Sequence, residues 1–181
     1  MNFTKCYDFG DKHAFLSPSK YHWVNDDEDK LASRFNKWEA AAKGTRLHAL
    51  AAEHIKLGLK MPKTPTTFNM FVNDAIGYRM TAEQGLFYSD NCFGTADAIS
   101  FVRNKLRIHD YKSGVTKPSM TQLEVYAAIF CLEYGFNPND IEIELRIYFD
   151  DEIIVHHPEQ IAELMIIIVE SDKLVDALKQ L

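Results

Sequence analysis

The chain has 181 residues, of which 46% are hydrophobic and 25% are charged, and its formal net charge at pH 7 is −6. This composition is typical of a globular domain and excludes disordered and fibrous chains. The longest uninterrupted apolar run covers only residues 125–132, whereas a membrane span takes about 20 residues. The first ten residues lack a basic segment followed by an apolar stretch, so we predict no secretory signal and a cytoplasmic protein.

The three cysteines are widely separated and odd in number: Cys6, Cys92 and Cys131. This pattern argues against a disulfide framework, and it lacks the Cys-x-x-Cys spacing of a common metal site. We therefore predict that all three thiols are reduced and structural.

Charge is unevenly distributed along the chain. Residues 41–64 contain five basic side chains and one acidic side chain, and residues 101–120 repeat this ratio. Residues 140–181 carry eleven acidic side chains and three basic ones. Charged runs are usually solvated surface, but a local basic surface is also what a phosphate-rich partner requires. The net acidity therefore does not exclude a nucleic-acid partner.

The N-terminal 80 residues are predicted to be helical. A short helix follows Ser17-Pro18-Ser19, where a serine hydroxyl is suited to cap the free amides of the first turn. The periodicity of apolar residues predicts longer helices over 29–43, 45–59 and 67–80. Gly44 is expected to break or bend the chain between the first two of them.

Strands are predicted in the middle of the chain. Aromatic and β-branched residues favour strands over 85–89, 93–102 and 105–112. A helix over 119–134 follows and ends before Gly135. The remaining predicted elements are a strand over 141–149, a second strand over 152–155 that pairs with it as a hairpin, and a helix over 158–181.

These elements predict an α/β fold in which a central mixed β-sheet is flanked by helices. We expect a single domain over residues 1–181. Its parts are N-terminal helices over 17–80, a core over 85–135, and a C-terminal hairpin and helix over 141–181.

Two acidic residues are predicted to meet at the end of a β-hairpin. A two-residue loop at Arg103-Asn104 gives a register that pairs apolar residues of the two strands with one another. These pairs are Phe101 with Leu106 and Ile99 with Ile108. The same register places Asp97 opposite Asp110. Cross-strand neighbours are about 5 Å apart at Cβ, and two carboxylates at that distance repel unless a cation neutralises them.

Paired carboxylates are hard oxygen ligands of the kind that Mg²⁺ and Mn²⁺ prefer, and such cations polarise phosphoryl oxygens and acidify bound water. Lys112 lies two residues after Asp110 on the same strand face. Its ammonium group is therefore placed to orient or deprotonate an attacking water, or to stabilise a charged transition state. This combination predicts phosphodiester hydrolysis. An Asp-x-Lys sequence alone is usually a solvated strand end, so the prediction depends on the residues that accompany it.

Three further features accompany the acids. His48 lies in a helical segment of small and apolar residues, where a neutral imidazole is able to complete a metal shell. Gln122 and Tyr126 are four residues apart on the next helix, so their polar ends share a face and are able to reach a phosphate or the lysine. Ser113-Gly114 directly follows Lys112, and glycine there frees the backbone to leave the sheet.

Four motifs follow one another along the chain: Gly44-x-x-x-His48, Gly94-x-x-Asp97, Asp110-Tyr-Lys112-Ser-Gly114 and Gln122-x-x-x-Tyr126. Together they resemble the RecB-type branch of the PD-(D/E)XK nuclease superfamily, and the resemblance covers residues 17–134. It implies a restriction-endonuclease-like core and a metal-dependent DNA nuclease.

The resemblance implies a role for each motif residue. The divalent metal would be bound by His48, Asp97, Asp110 and the main-chain carbonyl of Tyr111. Lys112 matches the catalytic lysine, and Asp110 stands where glutamate is commoner, a replacement that RecB-like members tolerate. The positions expected to support the lysine or contact DNA are Gln122, Tyr126, Ser17 and Ser19 of a Ser-x-Ser opening, and Arg46 of the basic segment.

The sequence also departs from some relatives. In these relatives an iron–sulfur cluster takes one cysteine before and three after the nuclease core, but only Cys131 follows Tyr126, so we predict no cluster. The absence of a Gly-x-x-x-x-Gly-Lys-Ser/Thr phosphate loop from the sequence excludes a helicase–nuclease fusion. By analogy, an isolated nuclease of this size is a phage or mobile-element exonuclease that processes linear DNA ends, in the host cytoplasm if phage-encoded.

Two other functions remain open. The acidic C-terminal part and the apolar run 165–169 would suit a nuclease-fold subunit that grips DNA ends or another protein without cutting. A zinc hydrolase using His48, His156 and His157 is disfavoured, because adjacent histidines in a strand point to opposite faces. The expected partner is DNA, with no membrane. A homo-oligomer or a recombination protein as further partner, the cleavage polarity and the strand preference are all left open.

Overall fold

The computed structural model of the chain describes residues 14–114 and 117–180. The chain forms two compact units, residues 1–43 and residues 44–181. The predictions for Cys6, for the start of the chain and for the last residue of the C-terminal helix lie outside the described residues.

The first unit contains a 3₁₀ helix over Pro18–Asn25, which is the short helix predicted after Ser17. The predicted serine cap is wrong. Ser17 occupies the N-cap position, but its hydroxyl is hydrogen-bonded to the Ser19 hydroxyl (2.8 Å) and to no helix amide. Helix α1 (Glu28–Leu57) begins in this unit, where the Asp27 carboxylate accepts a hydrogen bond from the Lys30 amide (2.8 Å).

Helix α1 runs without interruption through Gly44, so the predicted break at this residue is wrong. A glycine inside a helix costs only about 1 kcal/mol relative to alanine, and the many alanine and leucine residues around it favour the helix. The position has a packing reason for glycine. A Cβ there would lie 3.1 Å from the Ser113 hydroxyl oxygen, so glycine allows a close approach to that residue.

The second unit is built on one five-stranded sheet. Its strands are β1 (Thr81–Ser89), β2 (Cys92–Val102), β3 (Lys105–Lys112), β4 (Glu142–Phe149) and β5 (Glu152–His156). They lie side by side in chain order. β3 and β4 are parallel, and the other neighbouring pairs are antiparallel, including the predicted C-terminal hairpin. The predicted α/β class and mixed sheet flanked by helices are confirmed.

Three more helices complete this unit: α2 (Thr67–Gly77), α3 (Thr121–Tyr134) and α4 (Ile161–Leu178). α3 connects the parallel strands β3 and β4, as a parallel pair requires. It ends at Gly135, as predicted, and the left-handed φ of 72° at this glycine lets its amide bond to the Cys131 carbonyl. None of the helices in the described part of the chain is long and apolar enough to cross a membrane.

Both faces of the sheet are covered by apolar side chains. One face packs against α3 and α4 in a cluster that includes Leu106 and Ile108 of β3. The other packs against α2 and residues 44–57 of α1 in a cluster that includes Tyr111. Because side chains alternate along a strand, Asp110 continues the face of Leu106 and Ile108 and is directed toward α3.

The hairpin of β2 and β3 has the predicted register. The recorded pairs include Phe101 with Leu106, Ile99 with Ile108 and, last, Ala98 with His109. The connection is the predicted two-residue turn, in which Arg103 and Asn104 have φ values of 53° and 58°. A type I′ turn requires this left-handed conformation at both positions. The ladder ends at this last pair, one residue before the predicted pair of Asp97 and Asp110.

Candidate functional site

Polar side chains from four elements converge at one end of the β2–β3 hairpin. They are His48 of α1, Asp97 of β2, Asp110 and Lys112 of β3, and Gln122 and Tyr126 of α3. Residues that are distant in sequence thus meet because α1 and α3 pack against the sheet. The contacts fall into two groups, one around Asp97 and one around Lys112.

Asp97 accepts contacts from two donors. The Nδ1 atom of His48 lies 3.0 Å from its Oδ2 atom, and the amide of Tyr111 donates to the same oxygen over 3.0 Å. The rings of His48 and Tyr111 also touch, with centroids 5.8 Å apart. Buried Ala51 and Ala52 on the following turn let α1 come this close. The structure therefore brings His48 and Asp97 together, while the Tyr111 carbonyl stays a predicted ligand.

Lys112 is held between a carboxylate and an amide. Its Nζ atom lies 3.1 Å from Oδ1 and 3.0 Å from Oδ2 of Asp110, and it donates to Oε1 of Gln122 over 2.9 Å. The Nε2 atom of Gln122 in turn lies 3.5 Å from the Tyr126 hydroxyl. The chain Asp110–Lys112–Gln122–Tyr126 fixes the position of the ammonium group from both sides.

Asp110 is only 3% exposed, and its charge is incompletely balanced. The lysine's hydrogen bond goes to Oδ1, whereas Oδ2 is buried without a hydrogen-bond partner. Burial, and then the charge of Asp97, raise the pKa of Asp110 to about 6, although Lys112 acts in the opposite direction. A buried carboxylate in this condition is stabilised by a further cation.

Glu83 is a site residue that the sequence reasoning missed. One nitrogen of His48, one carboxylate oxygen of Glu83 and one of Asp97 all lie within 4.8 Å of one another, and this group does not include Asp110. Glu83 sits opposite Asp97 in the β1–β2 ladder, between the pairs Ala82–Ala98 and Gln84–Ala96. Its left-handed φ of 52° is unusual for a strand residue with a side chain. The alternation of side chains along β1 does not identify Glu83 as a site residue.

The imidazole of His48 lies in a negative environment. The hydrogen bond to Asp97 raises the pKa of His48; burial opposes this, and the charges of Asp97, Asp110 and Glu83 add to it. A proton on Nδ1 and a divalent cation are alternative ways to balance these carboxylates.

The donor set fits a divalent metal. It combines one imidazole nitrogen with carboxylate oxygens, of which Oδ2 of Asp110 is buried and without a hydrogen-bond partner. Carboxylates suit Mg²⁺, and the nitrogen ligand shifts the preference toward Mn²⁺. The residues that would hold the ion are the clustered His48, Glu83 and Asp97, while Asp110 stays a predicted ligand.

The glycine of the second motif has a clear structural role. A Cβ at Gly94 would lie 2.8 Å from Cε1 of Tyr126, so the Tyr126 ring packs directly on the backbone of β2. Any larger residue would displace this ring, and Gln122 rests beside its hydroxyl. Gly94 thereby contributes to the placement of Lys112 through two intervening side chains.

The other predicted site residues are Ser17, Ser19 and Arg46. Ser17 and Ser19 belong to the first unit and bond to each other. Arg46 is exposed on α1, two residues before His48. Their predicted DNA contacts stay predictions.

The three histidines of the zinc alternative each have a different partner. Nε2 of His156 lies 3.0 Å from Glu124, and Nδ1 of His157 lies 3.0 Å from the Ile143 carbonyl, while His48 faces Asp97. The structure thus separates them, as expected for adjacent strand residues.

Models of known protein families, curated proteins and solved structures were each compared with the chain, and none matches it. The function is therefore argued from the geometry of the site.

Proposed function

We propose that this chain is a divalent-metal-dependent DNA nuclease that hydrolyses phosphodiester bonds, and that it acts as an exonuclease on DNA ends. The observation that carries the proposal is the convergence of His48, Asp97, Asp110 and Lys112 at one end of the β2–β3 hairpin. Three of the four motifs that resemble RecB-type nucleases supply these side chains, from three separate elements, which supports the same interpretation.

The chemistry divides among the residues. When bound, a Mg²⁺ or Mn²⁺ ion acidifies water and offsets charge on the phosphoryl group. Asp97 and Asp110 offer carboxylate oxygens on adjacent strands, and His48 offers a nitrogen that Asp97 orients. Lys112 keeps its ammonium group at a fixed place beside Asp110, where it stabilises negative charge that develops on a phosphate oxygen or orients the attacking water.

Gln122 and Tyr126 position the lysine. Without the amide of Gln122, the Lys112 side chain would be free to collapse fully onto Asp110 or to turn into solvent. The 2.9 Å contact to Gln122 holds Nζ at the edge of the carboxylate. A fixed donor costs no reorganisation when charge develops, which is the advantage of such an arrangement.

A non-cutting subunit that binds DNA ends or another protein is the second candidate. It is favoured by the exposed apolar side chains of α4, among them Ile166 (58% exposed) and Ile167 (55% exposed). Contiguous exposed apolar surface often marks a protein interface.

Digestion of end-labelled DNA tests the proposal. Linear single-stranded DNA, linear duplex and closed circular DNA are incubated with wild-type protein in Mg²⁺, Mn²⁺ or EDTA. We expect loss of linear DNA only, and only with metal. Asp110→Ala should be inactive but folded, and Glu159→Ala, which removes an exposed carboxylate elsewhere, should retain wild-type activity.

The other outcomes separate the alternatives. Cutting of circles would show an endonuclease instead of an exonuclease. Binding without cutting under every condition would support the second candidate. If Asp110→Ala digested DNA like the wild type, the proposed site would be wrong.

A further inference from the structure

An exposed pair of aromatic side chains lies on the β1–β2 hairpin. Phe87 and Phe93 are cross-strand partners, and their rings are stacked with centroids 6.2 Å apart and 23° between the ring planes. The two residues are 51% and 67% exposed. Cross-strand aromatic pairs stabilise hairpins, but these two also leave much of their ring surface accessible to a partner.

The hairpin also borders a cavity on the α3 side of the sheet. Phe93 lines a concave space of about 350 Å³ whose other wall is formed by α3, including Gln122 and Tyr126. Gln122 is the residue whose amide oxygen holds the Lys112 ammonium group. Leu86 and Gly94, which pair across the hairpin, face α3. The rings of Phe87 and Phe93, one residue away on each strand, therefore lie on the opposite face of the hairpin.

Strand β2 also connects the pair directly to the carboxylates. Phe93, Thr95 and Asp97 are two residues apart in turn, so they alternate along one side of the strand. At about 3.3 Å per residue, roughly 13 Å of strand separates Phe93 from Asp97. Gly85 is the cross-strand partner of Thr95, so only small side chains lie between the rings and the acids.

The composition of this hairpin indicates what it binds. Residues 81–97 contain no lysine or arginine but include Glu83, Asp90 and Asp97. Such a surface offers no cation to the phosphates of a duplex or of a single strand, so any affinity of this hairpin for DNA has to come from the rings. Unpaired bases instead bind by stacking on aromatic rings, which every base is able to do.

We propose that the Phe87–Phe93 pair is a stacking platform for unpaired nucleobases of the DNA strand whose phosphate lies beside Lys112. The inference rests on the proposed nuclease function and adds the substrate class, which is single-stranded DNA or a single-stranded end. The rings hold the strand by its bases, while the site holds it by a phosphate.

The test is binding of a fluorescent oligothymidine, measured by anisotropy in EDTA so that no cleavage occurs. Phe93→Leu keeps an apolar side chain but removes the aromatic face, so it should bind roughly tenfold more weakly. Phe93→Trp should bind at least as tightly as the wild type. Tyr134→Leu, which removes an aromatic side chain that is 52% exposed on α3, is the matched control and should not change the affinity.

Duplex of the same length and a salt series complete the test. Phe93→Leu should leave duplex binding unchanged, and the aromatic contribution to oligothymidine binding should vary little with salt, because stacking releases no counterions. Equal single-strand binding by Phe93→Leu and wild type would overturn the proposal. A wild-type dimer that Phe93→Leu dissociates in sedimentation would also overturn it, because the rings would then serve self-association.

These experiments distinguish failure of the stacking proposal from failure of the nuclease proposal. Suppose that the wild type cleaves DNA with metal while Phe93→Leu cleaves single strands with unchanged KM. This result would contradict the stacking platform and leave the nuclease proposal supported. If the wild type cuts nothing with any metal while Phe93→Leu weakens oligothymidine binding, the nuclease is wrong. Thermal unfolding of the Leu and Trp variants shows whether the hairpin remains folded, since both remove the Phe–Phe pair.

Discussion

A buried carboxylate lies near each end of strand β3, one on the neighbouring strand β4 and one on β3 itself, and the two are balanced differently. Near its start, Glu144 of β4 contacts three cations, Lys105 at 2.9 Å, Arg146 at 2.9 Å and Arg107 at 3.4 Å. Near its end, Asp110 contacts a single cation among residues 14–114 and 117–180, that of Lys112. Both carboxylates are less than 10% exposed, at 7% and 3%. The difference therefore lies in charge compensation, not in burial.

The pKa values move in opposite directions for this reason. Burial alone would raise the pKa of Glu144, but the hydrogen bond from Lys105 and the charges of Arg146, Lys105 and Arg107 outweigh it and lower the pKa to about 2. The pKa of Asp110 is raised to about 6. A fully compensated carboxylate stabilises the fold, whereas an undercompensated one is available to a ligand.

The largest expected effect is the loss of cleavage in Asp110→Asn. We expect at least a 100-fold lower rate, roughly the cost of removing one main electrostatic group from an active site. Its stability should equal or exceed that of the wild type, because the neutral amide avoids the cost of burying a charge. End-labelled DNA digestion and thermal unfolding in EDTA measure the two effects. A variant that cleaves normally, or that unfolds, would contradict the interpretation that Asp110 is an undercompensated carboxylate with a role in cleavage.

Lys112→Ala should bind metal like the wild type but turn over poorly. The ammonium group positions charge and water near the phosphate, so its removal affects the rate and not the metal ligands. Mn²⁺ binding by calorimetry and single-turnover cleavage measure the two properties separately. Undiminished metal-dependent turnover would remove the lysine from the mechanism.

Glu144→Gln should show the opposite pattern from Asp110→Asn. We expect a loss of about 3 kcal/mol in the free energy of unfolding, because three cations lose their buried partner. Cleavage by the folded variant should stay within about twofold of wild type. Urea unfolding at pH 7 in EDTA gives the stability. An unchanged unfolding midpoint would mean that the Glu144 network contributes nothing to the fold.

The stability difference between wild type and Glu144→Gln should depend on pH. A carboxyl whose pKa is lowered in the folded state contributes its full stability above its ordinary pKa of 4.5 and loses it as the pH falls toward about 2. The difference of about 3 kcal/mol at pH 7 should therefore shrink through this window. Urea unfolding at a series of pH values tests it, and a difference that stayed constant down to pH 2 would contradict the charge network.

The smallest expected effect is at Glu83. Glu83→Gln should lower the apparent Mn²⁺ affinity roughly tenfold, as loss of a supporting carboxylate does in other metal sites. Glu83→Gly removes the same carboxylate but suits the left-handed φ of 52°, so it should match the Gln variant in affinity while unfolding at a higher temperature. Wild-type affinity in both variants would place Glu83 outside the site.

Much of this site follows from strand alternation. The predicted register depends only on period two and a two-residue turn, and the strands have that register as far as the pair Ala98–His109. The turn residues, Arg103 and Asn104, are in the left-handed conformation that the length of the loop demands. Local geometry of this kind is readable from sequence because few alternatives satisfy it.

Glu83 and Gly44 show what local patterns leave out. Glu83 depends on an unusual φ within a strand and on a register that shifts between Phe87 and Ser89. Gly44 was predicted to break a helix from its low propensity, whereas the close approach of Ser113 explains its presence inside one. Both depend on contacts between distant segments, which propensity and periodicity do not contain.

The most direct test of the metal site is Mn²⁺ binding to wild type, Asp97→Asn and Glu144→Gln, measured by isothermal titration calorimetry. Asp97 contacts His48, and its carboxylate lies within 4.8 Å of donor atoms of His48 and Glu83, so its amide variant should lose detectable binding. Glu144→Gln, which removes a buried carboxylate outside the site, should bind Mn²⁺ like the wild type. Equal affinities for wild type and Asp97→Asn would contradict a metal centre at this end of the hairpin.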